Sequence, residues 1–138
     1  MDGSASEQRG LVCFLRLMGT VDFLAVGAIF LPLEWMAKIH SWLGMGQLPE
    51  KPIIDYLTRS ASALYALHGA MILFVSTDVR RYAPLIQFLA VAALVHGVVL
   101  YLIDSIAGMP AFWIALEGPT VTASGVIVLM ILRRPLAA

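Results

Sequence analysis

Four long apolar stretches dominate the chain and restrict what it can fold into. They run over Leu11–Leu33, Ser60–Ser76, Pro84–Ile103 and Ala111–Leu132. Each is close to the ~20 residues that a helix needs to cross the hydrocarbon core of a bilayer. In lipid every backbone amide must find its partner inside the protein, which a helix achieves by itself. The pattern therefore predicts an all-α integral membrane protein with four transmembrane helices.

The composition excludes several other classes of protein. Of the 138 residues, 60% are hydrophobic and 13% are charged, which is too much apolar surface for a small soluble domain to bury. The net charge is zero and the basic residues are scattered, so a nucleic-acid surface is not expected. The lone Cys13 rules out an internal disulfide, a paired-thiol redox site and a cysteine-rich zinc site.

The arginines predict the orientation of the helices. Under the positive-inside rule they place both termini and the Asp78–Tyr82 turn in the cytoplasm. The N-terminal segment carries Arg9 but no clean cleavage site, so we expect the first helix to be retained rather than removed as a signal peptide. The basic residues on the predicted inner side are Arg9, Arg16, Arg80, Arg81, Arg133 and Arg134.

The loops predict how the helices pack. Short connections join the second, third and fourth stretches, which favours an antiparallel up-down four-helix transmembrane bundle forming one domain over residues 1–138. Only the first loop is long, and its residues 34–43 place Trp35, Ile39 and Trp42 on one helical face. We expect a short amphipathic helix there, lying at the membrane interface.

Three ionisable residues, Asp22, His68 and His96, lie near the centres of separate apolar stretches. At 1.5 Å per residue, each is about 14–18 Å from the cytoplasmic boundary, so one polar layer is expected, with Asp22 and His96 pointing inward. The simplest interpretation is a hydrogen-bonded contact that holds the helices in register. The alternatives are bis-histidine haem b ligation, a metal site, and a proton relay or quinone-headgroup site. For the metal site, the three residues lack the close i, i+4 spacing that makes a metal motif specific.

A second polar group is predicted nearer the outer face. Asp55, Arg59, Asp104 and Glu117 can meet there as an ion-pair cluster, with Thr120 one turn after Glu117. Pro119 leaves two possibilities for the last helix. Either the helix is broken around Ala115–Glu117 and lines a cavity, or it begins near Pro119.

Two segments resemble the DoxX-like group of small bacterial four-helix membrane proteins. They read FLRLMGTVDFLAVGAIFLP and YLTRSASALYALHGAMILFV, and a basic inner turn follows the second. Gly19, Arg59 and Gly69 occupy the matching positions. The resemblance implies a bacterial inner membrane and an accessory role in quinone-linked sulfur redox chemistry or in respiratory and stress-response complexes. It carries over no catalytic residue.

Three functions are compatible with these features. The first is a non-enzymatic accessory or small-molecule-binding subunit, surrounded by lipid and joined to a second copy or to a membrane-complex partner. The second is a redox or proton-relay protein linked to quinone or haem through the Asp/His layer. The third is a transporter or ligand carrier that uses a kinked fourth helix. A free-standing enzyme is disfavoured because little polypeptide lies outside the predicted bilayer, and no cofactor is assigned.

Overall fold

The computed structural model describes residues 2–133, with side chains from residue 8 onward, and no strand occurs in that range. Arg134, which the sequence places on the inner side, lies outside the described residues. The helices are α1 (Asp2–Phe23), α2 (Val26–Phe30), α3 (Leu33–Trp42), α4 (Pro52–Val75), α5 (Ala83–Ala107) and α6 (Ala111–Leu132).

Three helical segments within the described residues are long and apolar enough to cross a membrane: Gln8–Phe30, Ala83–Ala107 and Ala111–Leu132. Only 11–17% of their most apolar windows is buried within the chain. Side chains as large as Phe30, Phe88 and Leu102 are more than half exposed. So much exposed hydrocarbon indicates a lipid environment, and the chain is a membrane protein.

The helix bounds agree with the apolar stretches to different degrees. α6 covers the predicted residues, whereas α4 begins at Pro52 rather than at Ser60 and α5 continues to Ala107. Proline suits the first turn of a helix because it lacks the amide proton that would go unpaired there. α5 ends where Gly108 adopts a left-handed φ of 68°, which glycine tolerates without strain.

The first apolar stretch is not one continuous helix. α1 ends at Phe23, a turn follows at Leu24 and Ala25, and the five-residue α2 continues the path. Pro32 then precedes α3. The predicted first span is therefore interrupted at Leu24 and Ala25, which the sequence did not indicate.

The chain divides into two compact units, each described by itself. The first unit consists of residues 14–76 and holds the end of α1 together with α2, α3 and α4. The second unit consists of residues 2–13 and 77–133 and holds the start of α1 together with α5 and α6.

Glycines bring α5 and α6 into backbone contact in the second unit. A Cβ atom added at Gly97 would lie 2.6 Å from the carbonyl oxygen of Gly118, and one added at Gly125 would lie 2.6 Å from that of Ala90. These contacts pair an early residue of one helix with a late residue of the other, so the two helices run antiparallel. Close backbone approach through small residues is the usual way in which helices associate in lipid.

We expect Gly97→Ala to lower the free energy of unfolding by about 1–3 kcal/mol, because the new methyl group overlaps the α6 backbone. Gly10→Ala is the matched control, since a Cβ atom at Gly10 meets nothing within 4 Å and alanine favours a helix. Unfolding in mixed micelles with increasing SDS measures both. Equal stability of the two variants would contradict the observed packing of α5 on α6.

Candidate functional site

Asp22 and His68 form a hydrogen-bonded pair between α1 and α4 in the first unit. Nδ1 of His68 lies 2.8 Å from Oδ2 of Asp22, and their side chains are 49% and 30% exposed, respectively. The two residues are 46 positions apart in sequence, so the contact depends on the antiparallel packing of α1 against α4. This part of the predicted polar layer is brought together by the fold.

Two glycines next to the pair let the helices approach closely. A Cβ atom at Gly69 would lie 2.6 Å from the carbonyl oxygen of Gly19, and one at Gly19 would lie 3.0 Å from that of Gly69. Gly69 directly follows His68, and Gly19 lies about one turn before Asp22. The backbone contact thus sets the separation at which the short Asp22 side chain reaches the imidazole.

The helix break begins one residue after Asp22, where α1 ends at Phe23. The amide of Ala25 donates to the carbonyl of Asp22 at 3.1 Å, and the amides of Gly27 and Ala28 likewise donate three residues back at 3.0 Å. An α-helix bonds four residues back, so this stretch is wound more tightly, as in a 3₁₀ turn. Non-helical backbone at membrane depth occurs where it is covered by protein or lines a cavity.

The Asp22 carboxylate determines which nitrogen of a neutral His68 imidazole carries the proton. A carboxylate oxygen accepts hydrogen bonds, so Nδ1 of His68 carries the proton that it donates to Asp22. Nε2 then has a free lone pair, and within residues 8–133 no group donates to it. An imidazole oriented in this way can accept a hydrogen bond or a proton from a ligand, or bind a metal through Nε2.

His96 lies on α5 in the second unit. No other described residue forms a hydrogen bond with its side chain. Its side chain is exposed while the adjacent Gly97 is buried, so His96 does not lie on the face of α5 that packs on α6. One residue corresponds to a rotation of ~100° about a helix axis, which is enough to turn a side chain away from the packed face. The shared layer of Asp22, His68 and His96 stays a prediction.

Arg59 connects α4 to the end of α2 within the first unit. Its Nε donates to Oδ1 of Asp55 at 2.8 Å, and its Nη1 donates to the carbonyl oxygen of Ile29. That carbonyl is one of the last four in α2, which lack an amide partner inside their own helix. Arg59 therefore supplies a donor that the short helix cannot provide, while Asp55 balances its charge.

A cavity of about 580 Å³ opens beside this arginine, between α3 and the start of α4. Its apolar lining comes from Leu33, Ala37, Leu48 and Pro52. Its charged lining consists of Glu34, Glu50, Lys51, Asp55 and Arg59.

The other members of the predicted outer cluster lie in the second unit. The Nε1 of Trp113 donates to Oε2 of Glu117, and the hydroxyl of Thr120 donates to the carbonyl of Glu117 at 3.0 Å. Asp104 is only 5% exposed, and its Oδ2 has no hydrogen-bond partner among the described residues. The ion-pair cluster of Arg59 with Asp104 and Glu117 stays a prediction.

α6 runs without interruption through Pro119, so the alternative in which the helix begins near this proline is wrong. Pro119 cannot donate to the carbonyl of Ala115. Within the described residues, no group of three or more histidine, cysteine or acidic side chains is arranged to hold a metal ion.

Comparison of the chain with protein-family models, curated proteins and solved structures finds no match. The resemblance to DoxX-like proteins therefore stays a prediction. Sequence reasoning identified Asp22, His68 and Arg59, but it missed the helix break after Asp22 and the contact of Arg59 with Ile29. No proline marks that break.

We expect Arg59→Lys to lower the free energy of unfolding by about 1–2 kcal/mol, because one ammonium cannot reproduce the fork that reaches both Asp55 and Ile29. Amide hydrogen exchange in Val26–Phe30 should accelerate about tenfold, since 1.4 kcal/mol corresponds to a factor of ten. Arg80→Lys, at an exposed arginine in the turn before α5, is the control. Unchanged exchange in α2 would contradict a supporting role for Arg59.

Proposed function

We propose that the protein is a small integral protein of a bacterial-type inner membrane and acts there as a small-molecule-binding subunit. Its ligand has an apolar body and a hydroxyl or N–H group that donates to Nε2 of His68. The observation that carries this proposal is the 2.8 Å contact between Asp22 and His68, which orients a free imidazole lone pair beside a helix break.

The proposed membrane arrangement has four spans, with α4 as the second. α4 has 24 residues and is therefore ~36 Å long, which is sufficient to cross the hydrocarbon core. Polar side chains such as Arg59, Ser60 and His68 reduce its mean hydropathy, but Arg59 and His68 both have partners in the first unit. The spans form an antiparallel bundle with both termini in the cytoplasm, as the arginines favour.

α3 is proposed to lie in the membrane interface rather than to cross the bilayer. It has only 10 residues, and Trp35, Ile39 and Trp42 are 59%, 47% and 84% exposed, respectively. Tryptophan favours the interface because its ring is amphipathic. Gly44 and Gly46, both with positive φ, end α3 and redirect the chain toward α4.

Single cysteines on either side of α4 test this topology in a Cys13→Ser background. We expect Gln47→Cys to react with a membrane-impermeant maleimide in intact cells, and Arg80→Cys to react only after lysis, because the charge distribution places residue 80 in the cytoplasm. Gel-shift labelling measures both. Labelling of both sites, or of Arg80→Cys alone, in intact cells would contradict the proposed orientation.

The position of the pair supports a binding role. An ionisable side chain in an apolar span is costly, and such residues in membrane proteins commonly mark ligand, ion or proton pathways. A contact that only joins two helices would need no exposed imidazole edge, yet the His68 side chain remains 49% exposed. The helix break after Asp22 provides irregular backbone of the kind that lines binding cavities.

Two substitutions separate ligand binding from helix joining. The amide of asparagine reaches roughly the position of Nδ1, so His68→Asn should keep the contact with Asp22 and change the free energy of unfolding by less than about 0.5 kcal/mol. It should nevertheless weaken binding of a short-tailed alkyl benzoquinol about tenfold, because the Nε2 acceptor is lost. Titration calorimetry in detergent measures the binding.

The controls vary the residue and the probe. His68→Gln places an amide near Nε2 and should retain more binding than His68→Asn while losing stability. The dimethyl ether of the same benzoquinol lacks the donor and should bind weakly to the wild-type protein. Equal affinities of the quinol and its ether, or of wild type and His68→Asn, would contradict the proposed site.

A redox or proton-relay role linked to quinone is the second candidate, and the carboxylate behind the imidazole favours it. Asp22 stabilises the cation that forms when Nε2 accepts a proton from a ligand hydroxyl, as in other carboxylate–histidine pairs. A quinone-linked role also agrees with what the resemblance to DoxX-like proteins implies. If the oxidised quinone binds as tightly as the quinol and independently of His68, this candidate is excluded.

A further inference from the structure

The cavity between α3 and the start of α4 is separate from the contact between Asp22 and His68. All nine residues that line it lie from Leu33 to Arg59, within the first unit. His68 lies nine residues beyond Arg59, which is ~14 Å further along α4. The cavity volume of about 580 Å³ falls within the range of roughly 300–1,000 Å³ that is usual for small-molecule sites. The cavity is therefore a second candidate for a binding site.

The loop that forms one wall of the cavity is fixed at both ends by hydrogen bonds. At the end of α3, Nδ1 of His40 lies 3.1 Å from the carbonyl oxygen of Gly46, which accepts its proton. The amide of Met45 donates to the carbonyl of His40, also at 3.1 Å, so the chain turns back directly after α3. At the other end, the carbonyl of Lys51 accepts from the amide of Ile54 at 2.9 Å and thereby begins α4. The cavity thus has walls that local contacts hold in place.

The charged residues in the lining differ in whether they have partners. Asp55 and Arg59 pair with each other at 2.8 Å. Among the described residues, the side chains of Glu34, Glu50 and Lys51 form no ion pair or hydrogen bond. The cavity thus offers two uncommitted carboxylates and one uncommitted ammonium group. A ligand complementary to this set carries both a positive and a negative group.

The start of α4 strengthens the preference for an anion beside Lys51. Lys51 directly precedes α4, and its side chain does not cap the helix. The first amides of a helix have no carbonyl partner inside it, and the helix dipole is positive at this end. An anionic group of the ligand is therefore stabilised near Lys51, whereas an ammonium group is complementary to Glu34 and Glu50.

We propose that this cavity binds a zwitterion that carries a primary ammonium group and an anionic group on a short spacer. Glu50 and Lys51 are consecutive and both line the cavity, so a short spacer is sufficient. The phosphoethanolamine headgroup of a phospholipid has this chemistry, as does a soluble zwitterion of the same kind. The apolar lining by Leu33 and Leu48, together with the exposed Trp35 on α3, favours the lipid. Only the lipid as source rests on the proposed position of α3 in the membrane interface.

Native mass spectrometry of the protein in detergent tests the ligand. Titration with dioctanoyl phosphatidylethanolamine should show saturable binding. Dioctanoyl phosphatidylcholine should bind about tenfold more weakly, because its trimethylated ammonium group cannot donate to Glu34 or Glu50. Equal affinities for the two lipids would overturn the proposal.

Glycerophosphoethanolamine, which has the same headgroup without acyl chains, distinguishes the two sources of the ligand. Binding as tight as that of phosphatidylethanolamine supports a soluble zwitterion, whereas weaker binding supports the lipid. No saturable binding of either compound would overturn the proposal. Because His68 does not line the cavity, these results are separate from the quinol titrations.

Matched substitutions test the location of the site. Lys51→Gln and Glu34→Gln each remove one charge from the lining and should weaken the binding of phosphatidylethanolamine about tenfold. Lys38→Gln, at an exposed residue of α3 outside the lining, is the control and should leave the affinity unchanged. All three side chains are exposed, so the variants should retain the fold. Wild-type affinity in Lys51→Gln or in Glu34→Gln would overturn the proposal.

Discussion

The dominant constraint on this fold is that a polar group surrounded by hydrocarbon must find a partner within the protein. Backbone amides find theirs by forming helices, and hydroxyl groups do so by donating to carbonyls of their own helix. Ser62 donates to Thr58, Thr122 to Gly118, and Ser124 to Val121 in this way, at 2.7–3.0 Å. Ionisable side chains are satisfied only partly in this way: Arg59 pairs with Asp55 of its own helix but also reaches Ile29 of α2, and Asp22 reaches His68 of α4.

Within the first unit this requirement is met together with close packing. Gly19 and Gly69 bring the backbones of α1 and α4 together, and the same approach lets Asp22 reach His68. Nearer the start of α4, Arg59 reaches back to the end of α2. The polar contacts therefore do not replace the packing of small residues; they depend on it, since a larger residue at position 69 would separate Asp22 from His68.

Apolar length alone predicted most of the helical content, and its errors have identifiable causes. The bounds of α6 match the apolar run from Ala111, which Pro110 precedes, although the effect of Pro119 on this helix was left open. The start of α4 was missed because Asp55 and Arg59 interrupt the hydrophobic pattern, although each is the other's partner in the folded chain. Hydropathy registers a charge but not the contact that makes it tolerable.

The interruption between α1 and α2 is another feature that hydropathy does not register. The sequence suggested a break around Ala115–Glu117, because Pro119 removes a backbone donor there, yet α6 continues through these residues. The interruption follows Asp22, in a stretch without proline.

His68 and His96 show why residue type alone does not predict the chemistry available to a side chain. His68 has Asp22 at 2.8 Å, which holds the proton on Nδ1 and leaves Nε2 as an acceptor with a defined direction. His96 has no such neighbour among the described residues, so neither nitrogen is committed and the side chain can both donate and accept. A committed acceptor is complementary to a group that donates, whereas an imidazole with two uncommitted nitrogens imposes no such selection. The two histidines therefore differ in the hydrogen bonds they can make, and the difference arises from a single carboxylate.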